Sequence, residues 1–177
     1  MITNPVNIVG CGTLGSCLAI EIVKQNLISE LNIYDFDTIG ERPSYPFLKN
    51  EYGIPKIKLI EFLCKKHNPN ILISTYLQKI TEPFDFESFT IDCRDSKHDN
   101  INADVKVSLD GHLLYINSIR YTDNNKDYHR YISPRNESYI NKSINIIINY
   151  LKNNEYESRN LKLYNVINDY CQIIKKE

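Results

Sequence analysis

The chain has 177 residues, of which 42% are hydrophobic and 24% charged, and its formal net charge is −1. This length fits one domain, and the composition is that of an ordinary globular protein. A net charge near zero excludes recognition of nucleic acid or anionic membrane by bulk charge, and no apolar run approaches the roughly 20 residues that span a bilayer. We therefore expect one cytoplasmic domain over residues 1–177, with neither nucleic acid nor membrane as a partner.

A glycine-rich turn joins the first apolar run to a helical pattern. Val6–Val9 are followed by Gly10, Gly12 and Gly15 in G-x-G-x-x-G spacing. Apolar residues then recur at helical spacing, at Leu14, Leu18 and Ile22. This order predicts a strand-to-helix corner, in which the three glycines allow a tight turn, approach of the backbone to a phosphate, and close packing of the helix on its strand. Free N–H groups at the start of the helix would favour the bound anion.

The five cysteines include no C-x-x-C pair, so we expect neither structural zinc nor a disulfide framework. Cys11 lies within the glycine turn, where a helix N-terminus would lower the pKa of a thiol. Nothing near it in sequence supplies a base, and we interpret Cys11 as a small residue tolerated beside the glycines. Cys93 is interpreted in the same way, as a residue that packs at a strand end.

Acidic residues close the second apolar run. The segment Leu31–Tyr34 alternates and ends at Asp35, and alternation places Asp37 on the same side as Asp35. An acid about 20 residues beyond the glycines is placed to accept hydrogen bonds from ribose hydroxyls. We assign this role to Asp35, and the alternative is a solvated acid in a turn.

A long loop and a second helix are predicted next. The segment Thr38–Tyr52 contains Gly40 and two prolines without any period, whereas helical periodicity resumes after Pro55 and ends near His67. Lys56 then lies at a helix start, where a cation is locally unfavourable. A lysine there makes sense if it reaches a bound phosphate, and the alternative is an exposed, solvated lysine.

Two further strands are predicted at Ile71–Tyr76 and Phe89–Cys93. The second leads into Asp95, which would share the carboxyl edge of a parallel sheet with the glycines. Such an acid can hold a magnesium ion between phosphates. The alternative is an N-cap for a short helix beginning near Ser96.

The second half of the chain is less informative. Alternating runs on both sides of Asp110-Gly111 predict a two-residue hairpin, and polar residues predict a loop over Tyr121–Asn136. Two amphipathic helices are predicted, one over Ser138–Lys152 and one through Leu163, Val166, Ile167, Tyr170 and Ile174. We thus expect an α/β fold: a Rossmann-like, mostly parallel sheet with helices on both faces, made of a glycine-loop half (1–95) and a half with a hairpin, a loop and two C-terminal helices (96–177).

Five segments in this order, GCGTLGS, DFDTI, GIPK, HNPNI and IDCRD, resemble the ThiF-like family of ubiquitin-like-protein activating enzymes, which includes the MoeB and ThiF adenylyltransferases. The resemblance implies binding of ATP and magnesium and transfer of AMP to a carboxylate, typically the C-terminal glycine of a ubiquitin-like or sulfur-carrier protein. It also implies a homodimer or a heterodimer. The nucleotide-binding residues that it implies are Gly10, Gly12, Thr13, Leu14, Gly15, Asp35, Asp37 and Lys56. Lys56 and Asp95 would be catalytic, with Asp95 bound to the metal.

The sequence also departs from the family pattern. The run Arg42–Phe47 reads RPSYPF where the family carries a phosphate-binding arginine, so Arg42 or Lys49 would have to substitute for it. The family's paired zinc cysteines are missing and Cys171 falls in the predicted terminal helix, so thiol transfer is not expected. Three functions stay open: an adenylyltransferase, a catalytically reduced ThiF-like subunit that pairs with an active enzyme or carrier, and an NAD-dependent oxidoreductase. Against the last, no hydride-transfer residues are evident.

Overall fold

The computed structural model describes residues 5–80, 84–94, 101–110, 113–117, 137–158, 161–166 and 170–174. In chain order, these residues form β1 (Val6–Val9), α1 (Thr13–Lys24), β2 (Glu30–Asp35), α2 (Lys56–His67), β3 (Leu72–Leu77), β4 (Phe89–Asp92), β5 (Val105–Asp110), β6 (Leu113–Ile116), α3 (Glu137–Lys152), β7 (Leu161–Asn165) and β8 (Tyr170–Ile174). Short 3-10 turns lie at Lys49–Glu51 and Glu155–Ser158. No helix in this part of the chain is long and apolar enough to cross a membrane.

The strands form one eight-stranded sheet in the order β3-β2-β1-β4-β5-β6-β7-β8. Strands β1 to β5 pair in parallel, and β6, β7 and β8 are added by antiparallel pairing. The strand order reverses between β1 and β4, because β2 and β3 extend the sheet on one side of β1 and the rest of the chain extends it on the other. In open α/β sheets, such a switch point leaves a crevice at the carboxyl ends of the strands, where ligands bind.

The three helices of the described part lie side by side, because α1 contacts both α2 and α3. They bury their apolar stripes against one face of the sheet. Ile8 and Ile33 of the sheet share a single buried cluster with Leu18 of α1, Ile60 of α2 and Ile147 of α3. Full burial of one such side chain contributes about 1.5–3 kcal/mol, so this layer is a main source of stability.

Connecting segments cover the opposite face of the sheet. Val9 and Tyr34 pack there with Ile80, Phe86 and Ile101. Within the described ranges, α1, α2 and α3 therefore all lie on one face of the sheet. Ile80 and Phe86, on the connection from β3 to β4, contribute loop side chains to the other face, where many α/β folds place a crossover helix.

The C-terminal half corrects one prediction and confirms two. Asp110 pairs with Leu113, which confirms the tight hairpin but leaves Gly111 and His112 between the strands. The helix predicted over Ser138–Lys152 is confirmed as α3. The second amphipathic helix is wrong, since its residues form β7 and β8, with Cys171 in β8.

Antiparallel pairing explains why these residues form two strands and not a helix. Strand β6 offers a free edge to β7, and β7 then offers one to β8, so both segments satisfy their backbone groups in the sheet. The loop predicted over Tyr121–Asn136 lies outside the described residues. The loop predicted over Thr38–Tyr52 is irregular apart from its 3-10 turn, and Ile39 and Phe47 anchor it in the main core.

Candidate functional site

Three glycines shape the corner between β1 and α1, each for a different reason. Gly10 has φ +88°, and a Cβ there would lie 2.7 Å from Cγ of Arg94. A Cβ at Gly15 would lie only 2.0 Å from the carbonyl oxygen of Gly10, so α1 packs on this turn only with glycine. At Gly12, by contrast, a Cβ would meet nothing within 4 Å. Packing within the fold therefore does not require glycine at position 12. A glycine with open space beside it is expected where the backbone approaches a ligand.

The N-terminus of α1 faces this open space. Gly12 is the N-cap residue and supplies no side-chain hydrogen bond to the helix, and no acidic residue lies in the first turn. The hydroxyl of Thr13 donates to Oγ of Ser44 at 2.8 Å, which ties the loop after β2 to the start of α1. Since the first N–H groups of a helix carry partial positive charge, the turn that contains Thr13 and Leu14 is suited to an anion.

Asp35 binds the glycine turn directly. The residue is buried, at 8% exposed. The backbone N–H of Cys11 donates to Oδ2 at 2.5 Å, and the N–H of Asp37 donates to Oδ1 at 2.7 Å. Each carboxylate oxygen accepts about two hydrogen bonds, so acceptor capacity remains for ribose hydroxyls. The structure thus adds a role that the sequence did not indicate, which is fixing the turn, and the ribose contact stays a prediction.

Lys56 reaches the same edge through the start of α2. Thr38 forms an antiparallel bridge with Pro55, and the N–H of Lys56 donates to the carbonyl oxygen of Asp37 at 3.1 Å. The ammonium group of Lys56 lies 2.9 Å from Oδ2 of Asp37, and the lysine side chain is only 18% exposed. The alternative of an exposed, solvated lysine is therefore wrong.

The buried thiols near the corner are poor nucleophiles. Burial, and then the carboxylate of Asp35, raise the pKa of Cys11 well above its ordinary value, while the charge of Lys56 lowers it by a smaller amount. Burial also raises the pKa of Cys93, with Asp92 adding to the effect. Cys11 is buried in the main core and Cys93 packs against that core while partly buried, which confirms the interpretation of both cysteines as packing residues.

Sequence reasoning missed an ion pair on the other side of the corner. Nε and Nη2 of Arg94 donate to the two carboxylate oxygens of Asp92 at 2.9 and 3.0 Å. Both side chains are largely buried, at 13% exposed for Arg94 and 9% for Asp92. The available signal was the Asp-Cys-Arg run, which begins with the last residue of a buried strand. Asp95, the predicted metal ligand, lies outside the described residues.

The structure thus gathers most of the predicted residues at the carboxyl edge of β1 and β2. These are Gly10, Gly12, Thr13, Leu14, Gly15, Asp35, Asp37 and Lys56. Arg42 and Lys49, the candidate substitutes for the family arginine, are exposed on the loop, and their role stays a prediction. Within the described ranges, no group of three or more His, Cys, Asp and Glu side chains could hold a metal ion.

Comparison with known proteins identifies the fold. No protein-family model and no curated protein matches the sequence. Among solved structures, Escherichia coli MccB gives a TM-score of 0.66 at 12% identity, over 98% of this chain and 63% of MccB. MccB with ATP gives 0.69 at 12% identity, over 96% and 63%, and PaaA gives 0.64 at 12% identity, over 96% and 63%. The chain has the ThiF-like fold.

The ThiF-like fold extends well beyond the segments that suggested it. The sequence resemblance ended near Asp95, whereas the structural match covers 98% of the chain, including β5 to β8 and α3. The chain spans 63% of the length of these neighbours. At 12% identity, the similarity concerns the fold alone.

Proposed function

We propose that this chain binds ATP at the glycine corner and transfers its AMP moiety to a carboxylate, with release of pyrophosphate. The observation that carries the proposal is the convergence of an uncapped helix N-terminus, the open space over Gly12, and the ammonium group of Lys56 at one edge of the sheet. A neighbour of the same fold, MccB, has been crystallised with ATP.

The groups at the corner fit a nucleoside triphosphate. The phosphates would lie over Gly12 against the N–H groups of α1, because only there does the turn leave room for a ligand. Asp35 would accept hydrogen bonds from the ribose hydroxyls. Lys56 would contact the phosphates while Asp37 holds its side chain, since an ammonium group has three donors and one of them already faces Asp37.

The proposed reaction needs positioning and charge neutralisation more than an acid–base pair. A carboxylate oxygen attacks the α-phosphorus, the bond from that phosphorus to the oxygen bridging the β-phosphate breaks, and pyrophosphate leaves with the electron pair. Lys56 and the N–H groups of α1 would stabilise the charge that develops on the phosphate oxygens. Magnesium, when bound, would supply further charge neutralisation, and Asp95 remains its predicted ligand.

The proposed substrate is the C-terminal carboxylate of a peptide or of a ubiquitin-like or sulfur-carrier protein. Support comes from the crystal structure of MccB with MccA, a neighbour of the same fold, and from the family resemblance. We further propose that the chain works as a homodimer or a heterodimer. A catalytically reduced subunit is the second candidate, because Arg42, next to Pro43 on the loop that departs from the family pattern, is exposed and forms no hydrogen bond or ion pair with the glycine turn among the described residues.

Thermal shift and pyrophosphate exchange would test the proposal. ATP with magnesium should raise the melting temperature by an amount that follows RT ln(1 + [L]/Kd), and NAD should not. Exchange of labelled pyrophosphate into ATP should then depend on a glycine-ended carrier or peptide. Stabilisation by NAD alone would overturn the proposal, and ATP binding without exchange for any carrier would favour the reduced subunit.

Two lysines of α2 provide a matched pair of variants. Lys56→Met should lower the exchange rate by about 100-fold or more, the size of effect found when one preorganised transition-state contact is lost. Lys58→Met should leave the rate unchanged, because Lys58 is 59% exposed and pairs with Glu61. Both variants should keep the wild-type melting temperature to within a few degrees, since such ion pairs contribute about 0–1 kcal/mol. Equal exchange rates in the two variants would contradict the role of Lys56.

A further inference from the structure

We propose that the outer edge of β3 is an interface at which two copies of this chain pair strand to strand around a two-fold axis. The inference names the surface and the partner for the dimer proposed above, and it does not depend on nucleotide binding. It stands on three features of the structure: the unpaired backbone of β3, the apolar side chains exposed along it, and the fit of this strand to a second copy of itself.

The outer backbone groups of β3 have no partner in the described part of the chain. β3 is an edge strand and pairs only with β2 there. The N–H of Leu72 donates to the carbonyl oxygen of Ser29 at 3.1 Å, so residue 72 directs its backbone groups toward β2. These groups alternate in direction along a strand, and those of Ile73, Thr75 and Leu77 therefore point outward. Another extended backbone is the partner that matches such a row of donors and acceptors.

The side chains along this edge are uncharged and largely apolar. The strand reads LISTYL, without the charged residues or prolines that protect sheet edges from association. Leu72 is 65% exposed and Leu77 is 61% exposed, one on each face of the sheet. On the helix side, Lys58 of α2 donates to Oγ1 of Thr75 at 3.0 Å. Phe62, which is 62% exposed, lies one turn further along the same side of α2, next to this edge.

The exposed apolar surface is of the size that a dimer needs. Leu72, Tyr76, Leu77 and Phe62 are 41–65% exposed. With about 200 Å² for each complete side chain, these four residues present roughly 450 Å² on one copy. A symmetric pair would cover about 900 Å² before the two strand backbones are counted, and a specific interface requires about 1,000 Å² or more.

The strand fits a second copy of itself about an axis at Thr75. Antiparallel pairing there places Thr75 opposite Thr75, and Ile73 opposite Leu77 of the second copy. All the outward backbone groups then pair, and the apolar side chains of Ile73 and Leu77 meet on the helix side of the sheet. An axis at Ser74 would instead place Leu77 opposite Ile71, whose N–H already has a partner in its own chain. The register about Thr75 is therefore favoured.

The helix layer leaves room for this pairing. α2 contacts both β2 and β3, so its axis lies back from the edge, and a second α2 fits beside it at about 8–10 Å. Lys58 of each copy lies close to the two-fold axis. Each of these ammonium groups is paired with Glu61 at 3.2 Å, which offsets the repulsion between them. Phe62 of each copy then lies in the contact between the two helices.

Light scattering on the full chain over a concentration series would test the proposal. The wild type should have twice the mass of one chain. Leu77→Lys introduces a charge into the interface twice, once in each copy, and should weaken dimerisation by about 10- to 100-fold. Leu48→Lys is the matched control, because Leu48 is 59% exposed and lies on the loop after β2, and it should dimerise like the wild type.

Thr75→Cys would test the register of the two strands. Opposed residues in a hydrogen-bonded antiparallel pair have Cα atoms about 5.5 Å apart, which is within the range of a disulfide. Mild oxidation should therefore link two copies of Thr75→Cys, as measured by electrophoresis without reducing agent. Leu48→Cys and the wild type, which carry the same native cysteines, should give only background linkage.

Three results would overturn the inference: a wild type that stays monomeric over the series, a Leu77→Lys variant that dimerises like Leu48→Lys, or equal linkage in Thr75→Cys and Leu48→Cys. Growth beyond the dimer would overturn it as well, because pairing of β3 with the other edge strand, β8, does not close into a two-fold pair. Each of these results leaves the proposed ATP chemistry in place, since thermal shift and pyrophosphate exchange test that chemistry separately.

Discussion

Replacing Gly15 by alanine tests whether α1 can pack on the turn after β1 only when residue 15 is glycine. The new Cβ would lie 2.0 Å from the carbonyl oxygen of Gly10 and 3.0 Å from Cβ of Cys93, whereas ordinary van der Waals contact begins at 3.4 Å. The oxygen belongs to the backbone and cannot rotate away, so either α1 must move off the turn or the turn must open. Both changes disturb the packing of α1 on the sheet.

The expected loss of stability is large for a single methyl group. Overpacking in a well-packed core costs about 1–3 kcal/mol, and a backbone clash puts Gly15→Ala at the upper end of this range, near 3 kcal/mol. For a chain of this size, each kcal/mol lowers the melting temperature by about 2–4 °C, so we expect a decrease of about 6–12 °C. Gly12→Ala should cost only about 0.5–1 kcal/mol, since the new methyl group meets nothing and only the preference for glycine at the N-cap is lost.

Thermal denaturation followed by far-UV circular dichroism would measure these differences on the full chain. Gly40→Ala is a suitable control, because a Cβ at Gly40 also meets nothing within 4 Å and the residue is exposed. Under the proposed function, Gly12→Ala should lose ATP affinity at nearly wild-type stability, whereas Gly15→Ala should lose stability first. A melting temperature of Gly15→Ala within about 2 °C of the wild type would refute the packing argument.

Three further predictions concern the core, the thiols and the alkaline limit of stability. Phe47→Ala should lower the free energy of unfolding by about 3–5 kcal/mol, because Phe47 is only 6% exposed. The neighbouring Leu48 is 59% exposed, so Leu48→Ala should have little effect. Equal denaturation midpoints for the two variants would contradict the anchoring of the loop. Burial raises the pKa of Cys17 and of Cys64 to about 12, so iodoacetamide at pH 8 should leave both thiols unmodified in the native chain. Peptide mapping would measure this. Alkylation of the two thiols as fast as in the denatured protein would argue against their burial. Burial also raises the pKa of Tyr34 from 10.0 to about 12, so the unfolded chain loses the phenolic proton at a lower pH than the native chain. The free energy of unfolding should therefore fall as the pH rises from 10 to 12, and it should fall less steeply in Tyr34→Phe. The same slope in the variant and the wild type would be inconsistent with this cause.

The parts of the fold that were predictable are those in which neighbours along the chain carry the signal. Gly10 and Gly15 are required by the turn between two consecutive elements, and the structure gives each a specific steric reason. Lys56 was recognised because it follows a proline at a helix start, which is also a local feature. Asp35 was recognised as the acid at the end of β2, although its contact with Cys11 crosses from β2 to the glycine turn and has no local signal.

The features that the sequence did not predict depend on contacts with residues that are distant in the chain. Leu163 and Ile174 belong to an apolar pattern that fits a helix, but β6 supplies an edge on which the five-residue strands β7 and β8 pair instead. The Asn168-Asp169 dipeptide between the two apolar runs is typical of a turn and was the available signal. Arg94 acquires its place only because β4 lies beside β1, and nothing near it in the sequence indicates this neighbour.

The pairing of β1 with β4 also bears on how the protein is made. Val6 of β1 lies opposite Phe89 of β4 in the sheet. During synthesis, β1 therefore leaves the ribosome long before β4, although both strands border the crevice. Parallel pairing over such a separation in sequence forms slowly, because a long loop must close before any contact compensates for its entropy. The crevice is therefore a property of the completed chain, and any molecule that fills it binds only after β4 has docked and then holds the two halves of the sheet together.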